Sequence, residues 1–320
     1  MPSVTVHLRF ADQVLDHWRR RSSTAPFDAD DPAAANAFRQ GAMGPDLGYV
    51  PGGHRPLSDL AHCLRTGDLA RALIARARSP RERAFAWGWV THVLADTLIH
   101  PMVGCAVGEL VHGTPGVFED GDRQPVAHVR VEAGLDALYA HRFPELRRLR
   151  HEPAFDAEGI DFLVGAFRDT YGATPEPRRF LRSHVTAARR GAQGVALAAL
   201  TALTLPRDRR PLRTGHDPEA GPMAPVRGFL GRTSVGLGYL LPVLPSLWFL
   251  NAVRDVEETF VDLFLEEFEL RGEGLANVNL DTGRPDVEER GYGGLQRSLD
   301  LLRRIGGHLP ALPSPDSSHH

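Results

Sequence analysis

The chain has 320 residues, of which 42% are hydrophobic and 24% charged, so it can bury a large core as a soluble globular protein. Its 37 basic residues, all of them arginine, stand against 40 acidic residues, and the net charge of −3 excludes an overall positive field that would attract nucleic acid. Two cysteines are too few for a disulfide framework.

Apolar residues recur at helical spacing along most of the chain, which predicts an all-α, multi-helix bundle of about ten helices. The predicted helices cover 4–20, 31–42, one or two segments within 59–77 broken at Gly67, 81–101, 125–141, 156–171, 176–204 and 253–271. Pro101 should end its helix, because proline lacks the backbone N–H that an interior position requires, and residues 103–110 should resume it. No segment shows the alternation of a β-strand.

The pattern predicts a helical domain over 1–205 that carries the chemistry and a linker over 206–228, rich in Pro, Arg and Gly. A helical extension packed on the same core should follow over 229–305, before a disordered tail over 306–320. Between residues 150 and 310 we find no spacing to which chemistry can be assigned.

The first twenty residues lack the basic, apolar and small-residue order of a signal peptide, which predicts a cytoplasmic protein. The longest apolar run, 229–253, contains Arg232, Pro242 and Pro245 and is therefore a poor membrane span. It fits a pair of buried helices around a proline break, with a lipid-facing surface as the alternative.

The segment AFAWGWVTHVLADTLIHP (84–101) places His92, Asp96 and His100 at i, i+4 and i+8, so the three side chains share one face of an apolar helix. Burying three such groups is costly unless something satisfies them all, and a divalent cation does so. A polar core network without metal is the alternative. Asp96, between two histidines, is the natural bridge between two ions.

A second array lies in PVAHVRVEAGLD (125–136), where His128 and Glu132 are again four residues apart. Alone, they could be an ordinary intrahelical pair. Asp136 continues the stripe and suits an outer position that orients a ligating histidine. Upstream, Asp46 follows the Gly/Pro turn of GAMGPD (41–46). Mixed imidazole and carboxylate sets favour zinc, so the arrays together predict a site with more than one ion.

In order and spacing, GAMGPD, His62, His92…Asp96…His100-Pro101 and His128…Glu132 resemble the zinc-dependent phospholipase C family over residues 1–140. That family shares a helical fold with single-strand-specific zinc nucleases. The resemblance implies that one zinc is held by Asp46, His62, His92 and Asp96, with Asp96 bridging, and a second by His100, His128 and Glu132.

His7 is similar to the family histidine that helps to hold a third zinc. In those enzymes this ion also takes main-chain groups of a tryptophan exposed by processing, whereas this chain begins Met-Pro, so two ions are expected and a third is left open. His62, sixteen residues after Asp46, fits the family spacing better than His54, which could instead contact substrate.

The implied activity is that of a zinc-dependent phosphodiester hydrolase resembling phospholipase C, in which zinc-bound hydroxide attacks phosphorus. Asp46 and Asp96 are the expected catalytic residues, Asp46 as a candidate general base as well as a ligand. The expected partner is a phospholipid or other phosphodiester, with peripheral membrane contact and no obligate protein partner. The alternatives are a single-strand nuclease, disfavoured by the acidic balance and 8% aromatic content, and a non-catalytic helical metal-binding protein. Histidines without a spacing partner, such as His184, are expected at the surface.

Overall fold

The computed structural model describes residues 4–21, 24–50, 52–149, 151–157, 159–174, 176–201, 242–243, 246–288 and 292–308. Across these residues the chain forms ten α-helices and one short antiparallel hairpin. The predicted all-α bundle is therefore confirmed. The predicted linker and almost all of the predicted tail lie outside the described residues, and the domain boundaries stay a prediction.

The helices are α1 (Val4–Arg20), α2 (Pro32–Ala42), α3 (Arg55–Cys63), α4 (Thr66–Arg76), α5 (Pro80–His112), α6 (Pro125–Arg142), α7 (Asp161–Tyr171), α8 (Pro177–Thr201), α9 (Leu247–Glu269) and α10 (Gly293–Ile305). The hairpin pairs β1 (Val278–Asn279) with β2 (Arg284–Pro285). Short 3₁₀ turns cover Pro45–Gly48, Pro144–Arg148 and Asp286–Glu288.

The long helix α5 is the centre of the bundle. Ser79 and Glu82 close a capping box at its start, and Gly113, with a φ of 74°, ends it. Pro101 lies inside this continuous helix, so the predicted break there is wrong. An interior proline costs about 3 kcal/mol, but residues on both sides of it, such as Ile99 and Val103, are buried and hold the two halves in line.

Helix α5 is also the one helix among the described residues that is long and apolar enough to cross a membrane. Its most apolar window is 67% buried inside the protein. A buried core helix passes the same test of length and composition, and the burial of this window is that of a core helix. Most of the apolar run 229–253 lies outside the described residues, and its last part begins α9.

Two glycines let α2 and α5 approach closely enough for their backbones to touch. A Cβ on Gly88 would collide with the carbonyl oxygen of Phe38, and a Cβ on Gly41 would collide with that of Phe85. Only glycine fits either position without moving a helix. The close approach brings the Ala42 carbonyl oxygen to 2.8 Å from His92 Nδ1, so this helix pair orients a predicted site residue.

Aromatic side chains hold α1 in place. Trp18 is fully buried and packs edge-on against Phe27, Phe38 and Phe264, with ring centroids 5.4 to 5.5 Å apart for Phe27 and Phe38. Such pairs contribute about 0.5–1.5 kcal/mol each beyond the burial of their surface. These contacts tie α1 to α2 and α9 and so fix the helix that carries His7.

The described part of the C-terminal third packs on the metal-bearing helices. Arg297 of α10 forms ion pairs with Asp59 of α3, at 2.8 Å, and with Asp122, at 3.2 Å. The hairpin is anchored to α3 by a 2.7 Å hydrogen bond from the Leu280 amide to the His62 carbonyl oxygen. Residues far apart in sequence therefore meet beside His62.

His184 of α8 is fully buried, so its predicted place at the surface is wrong. Its ring packs against Phe85 and Phe155, and its Nε2 accepts a hydrogen bond from the Phe155 amide. Accepting that bond requires the neutral ring, and burial lowers the pKa of His184 to about 4.

We expect His184 to make the protein acid-sensitive. Between pH 6.5 and 4 the unfolded state binds a proton at this histidine and the native state does not. The free energy of unfolding therefore decreases as the pH is lowered through that window. The loss approaches about 3 kcal/mol at the acid end. In H184Q, which keeps an acceptor for the Phe155 amide, urea unfolding from pH 7 to 4.5 should show that much less loss. Parallel stability curves for the two proteins would contradict the assignment.

Candidate metal centre

The structure brings together all eight side chains that the sequence predicts as ligands, and each is at most 8% exposed: His7, Asp46, His62, His92, Asp96, His100, His128 and Glu132. In the described residues they form three groups of three whose ligand atoms lie within 4.8 Å of one another. The groups are Asp46–His62–His92, His7–His92–Asp96 and His100–His128–Glu132. Their roles as zinc ligands remain a prediction.

Asp96 is the common point of the centre. Its Oδ2 lies 2.9 Å from His92 Nε2 and 3.6 Å from His62 Nε2. Its Oδ1 lies 3.2 Å from His7 Nε2 and 3.7 Å from His100 Nε2. Each carboxylate oxygen thus faces a different pair of imidazoles, the arrangement a bridging carboxylate needs.

In the first group, two imidazoles are held with their Nε2 atoms pointing inward. The Nδ1 of His62 lies 2.9 Å from the Ser58 carbonyl oxygen, as the Nδ1 of His92 lies 2.8 Å from that of Ala42. Each Nδ1 therefore carries a proton, so Nε2 is the nitrogen that is left to bind a cation. The two Nε2 atoms are 3.3 Å apart, and Asp46 Oδ1 is 3.3 Å from the Nε2 atom of His62.

The His100–His128–Glu132 group spans α5 and α6. Glu132 Oε1 lies 3.0 Å from His128 Nε2 and 3.4 Å from His100 Nε2. The spacing of four residues between His128 and Glu132 puts both on one face of α6, as the sequence predicts. That face points at the C-terminal end of the His92–His100 stripe.

His7 enters from α1. Its ring stacks on that of His92, with centroids 4.0 Å apart and planes inclined by 10°. Asp136, expected to orient a ligating histidine, anchors the start of α1: its Oδ1 accepts hydrogen bonds from the Thr5 amide and hydroxyl at 2.8 and 2.6 Å. Thr5 is two residues before His7, so Asp136 sets the position of that histidine through the backbone.

The two candidate ligands His54 and His62 lie in different places. The His62 side chain is fully buried within the first group. The His54 ring lies instead 2.6 Å from the guanidinium of Arg179, at the partly exposed surface between α3 and α8. The structure therefore places His62, the preferred candidate, at the centre.

A divalent cation fits what these side chains leave unsatisfied. Asp46 Oδ1 and Asp96 Oδ2 are buried and form no hydrogen bond of proper geometry with the described residues, although imidazole nitrogens lie 3.3 and 2.9 Å away. Burying carboxylate oxygens without a partner is costly. Lone pairs of imidazole and carboxylate converging on one point are the donor set that zinc takes.

The charges are also those of a cation site. Burial alone would raise the pKa of Asp96, but the imidazoles of His100 and His92 outweigh it and hold that pKa well below its usual range. Burial likewise opposes protonation of His62, yet the nearby carboxylates of Asp46, Asp281 and Asp96 raise its pKa to about 9. Asp96 is thus ionised at neutral pH, as a metal ligand must be, and a metal would displace a proton from His62.

One residue at the centre lies outside every pattern seen in the sequence. Asp281, in the turn of the hairpin, has its Oδ1 3.3 Å from His100 Nδ1, the nitrogen that faces away from Glu132. The segment 150–310, in which no spacing indicates chemistry, therefore reaches the centre. No local signal marks Asp281, because a single aspartate in a turn has no spacing partner.

A helical bundle with three buried groups of histidine and carboxylate ligands defines a class of protein, the helical zinc hydrolases. The profile of one family, described as zinc dependent phospholipase C, matches residues 6–173, more than half of the chain, and the chain belongs to that family. This confirms the resemblance and the expected enzyme class, a zinc hydrolase, and membership implies a phospholipid substrate. Neither a curated protein nor a solved structure matches the chain significantly.

Proposed function

We propose that the chain hydrolyses phosphodiesters in the manner of a phospholipase C, at a centre of two zinc ions. The observation that carries the proposal is the position of Asp96, whose two oxygens face His7 and His100 on one side and His62 and His92 on the other. A carboxylate that faces two ligand groups is suited to bridge a pair of ions. Paired ions about 3.5–4 Å apart are typical of phosphoryl-transfer enzymes.

The first ion would be held by Asp46, His62, His92 and Asp96, and the second by His100, His128 and Glu132. The group around His7 shares His92 with the first. The Nε2 of His92 can bind only one ion. If it binds the first ion, a third ion would have only His7 and Asp96 of this group as ligands. When bound, zinc lowers the pKa of a coordinated water to about 7 and neutralises charge on phosphoryl oxygens.

The protein side chains supply orientation and proton transfer. Asp46 is 6% exposed, against 2% for Asp96 and 1% for Glu132, so it is the carboxylate closest to solvent. We assign to it, besides its ligand role, acceptance of the proton from the attacking water. The backbone carbonyls of Ser58 and Ala42 keep the two imidazoles beside it from turning as the charge changes.

The test is a comparison of substrates on protein whose zinc content is known. We expect at least two zinc ions per chain and release of the phosphorylated head group from phospholipid vesicles, with little release of nucleotides from single-stranded DNA. H62A should lose zinc and activity, whereas H54A, the matched change outside the three groups, should keep its zinc. Preferential DNA hydrolysis would favour the nuclease alternative. Full zinc content without turnover on any phosphodiester would overturn the proposal.

A further inference from the structure

The second nitrogen of each metal-facing histidine needs a partner that fixes the ring. His62 and His92 find theirs in main-chain carbonyl oxygens of α3 and α2. His100 differs: its Nδ1 forms no hydrogen bond of proper geometry with the described residues, and the atom that it faces is a carboxylate oxygen, Asp281 Oδ1, at 3.3 Å. Its Nε2 points the other way, toward Glu132 and Asp96. Asp281 is therefore placed to accept a hydrogen bond from the Nδ1–H of His100. Because it faces Nδ1 and not the metal-facing Nε2, it is not placed to bind the same ion as His100.

Asp281 is itself held on both sides. The Tyr292 hydroxyl donates to its Oδ2 at 2.5 Å, and Tyr292 is buried at the start of α10. The Asp281 amide donates to Asn279 Oδ1 at 3.1 Å, so the turn is braced from within. The preceding residue, Leu280, donates its amide to the His62 carbonyl oxygen at 2.7 Å. The carboxylate thus reaches His100 from a fixed frame.

The same turn fits closely against the helix that carries His100. Gly283 has a φ of +70°, which favours glycine, and a Cβ there would press on the Pro101 ring at 2.7 Å. Pro101 directly follows His100 in α5. The hairpin thus lies against the residue next to His100, and it belongs to the part of the chain beyond the family match at 6–173.

We propose that Asp281 is a positioning residue for the zinc ion of the His100–His128–Glu132 group, through a hydrogen bond that fixes His100 as the Nδ1–H tautomer, with Tyr292 orienting the carboxylate. This inference rests on the proposed zinc centre and extends it: the C-terminal third sets the affinity of one ion. Carboxylate–histidine–zinc arrangements of this kind raise the basicity of the imidazole and hold its ring.

The test measures zinc affinity in the full chain, by stoichiometry and by competition with a chromophoric chelator. In D281A one ion should bind about 10- to 100-fold more weakly, the usual effect of losing such a partner, while the remaining zinc keeps its affinity. In D281N, whose amide oxygen still accepts from His100 but without charge assistance, the loss should be smaller, about tenfold at most.

The matched control is N277A. Asn277 anchors the same hairpin to α4 through two hydrogen bonds with Asp68, at 3.0 and 3.1 Å, and the change leaves Asp281 and His100 intact. A second readout is the His100 Nδ1–H signal in ¹⁵N-edited spectra of the zinc-loaded protein. It should persist in wild type, N277A and D281N, and it should be lost to solvent exchange in D281A.

Equal zinc affinity in D281A and wild type overturns the proposal, as does equal weakening in D281A and N277A, which would show a purely structural role. If D281A does not fold, D281N decides: weaker binding of one ion with the Nδ1–H signal retained supports the proposal, and wild-type affinity overturns it. If wild type binds no zinc, the proposed function falls as well. If it binds zinc and D281A binds it equally, only the role of Asp281 falls.

Discussion

Replacement of Asp96 by Asn should abolish zinc loading and phosphodiesterase activity together. The amide keeps the shape of the side chain but removes the negative charge shared by four imidazole nitrogens that lie 2.9 to 3.7 Å from its oxygens. One of its two positions becomes an NH₂ group, which repels a cation. We expect activity to fall by at least about a thousandfold, beyond the loss of a single electrostatic contact in a typical active site.

The measurement is zinc per chain by mass spectrometry, with turnover on phospholipid vesicles from the same preparation. D59N is the matched control, because Asp59 is an equally buried carboxylate whose ion-pair partners, Arg297 and Arg55, lie outside the three groups. D59N should lower stability and keep its zinc. A D96N protein that retains full zinc content would refute the bridging assignment.

Removal of zinc should be the largest single perturbation of stability. The centre buries eight polar side chains, and their carboxylate oxygens and imidazole nitrogens converge in three groups that a cation would satisfy. Two ions present at a thousandfold excess over their Kd would contribute about 8 kcal/mol by mass action. For a chain of this size that corresponds to a fall in Tm of roughly 20 °C on chelation.

Thermal unfolding with and without a chelator measures this effect, and added Zn²⁺ should reverse it. Mg²⁺ is the control, since it prefers octahedral oxygen ligands and should not replace zinc among imidazoles. An unchanged Tm after complete zinc removal would mean that the three groups are satisfied as a polar core without metal.

Local regularity made much of the fold readable in the sequence. Helix α1 begins and ends at the predicted residues 4 and 20, because its apolar period and its closing arginines are both local features. The break at Pro101 was predicted from an equally local rule and is wrong. At Pro101 the free energy gained by burying the neighbouring turns exceeds the cost of one lost hydrogen bond. A rule that considers only adjacent residues does not include that burial.

The same division holds at the candidate site. His92, Asp96 and His100, like His128 and Glu132, are brought together by the period of a single helix, so their spacing alone predicts a shared face. Which residues from other elements join them depends on how closely the helices approach. That distance depends on Gly41 and Gly88, whose effect is visible only once α2 and α5 are packed.

By itself, then, the sequence determined the helical class, the two metal-ligand stripes and, through their order, the family. Only the tertiary structure decided that His62 rather than His54 faces the centre, that His184 is buried, and that Asp281 reaches His100. The physical reason is separation along the chain. Neighbours within a helix are related by its fixed geometry, whereas Asp281 meets His100 through a packed hairpin, and no periodic pattern encodes a contact between segments so far apart.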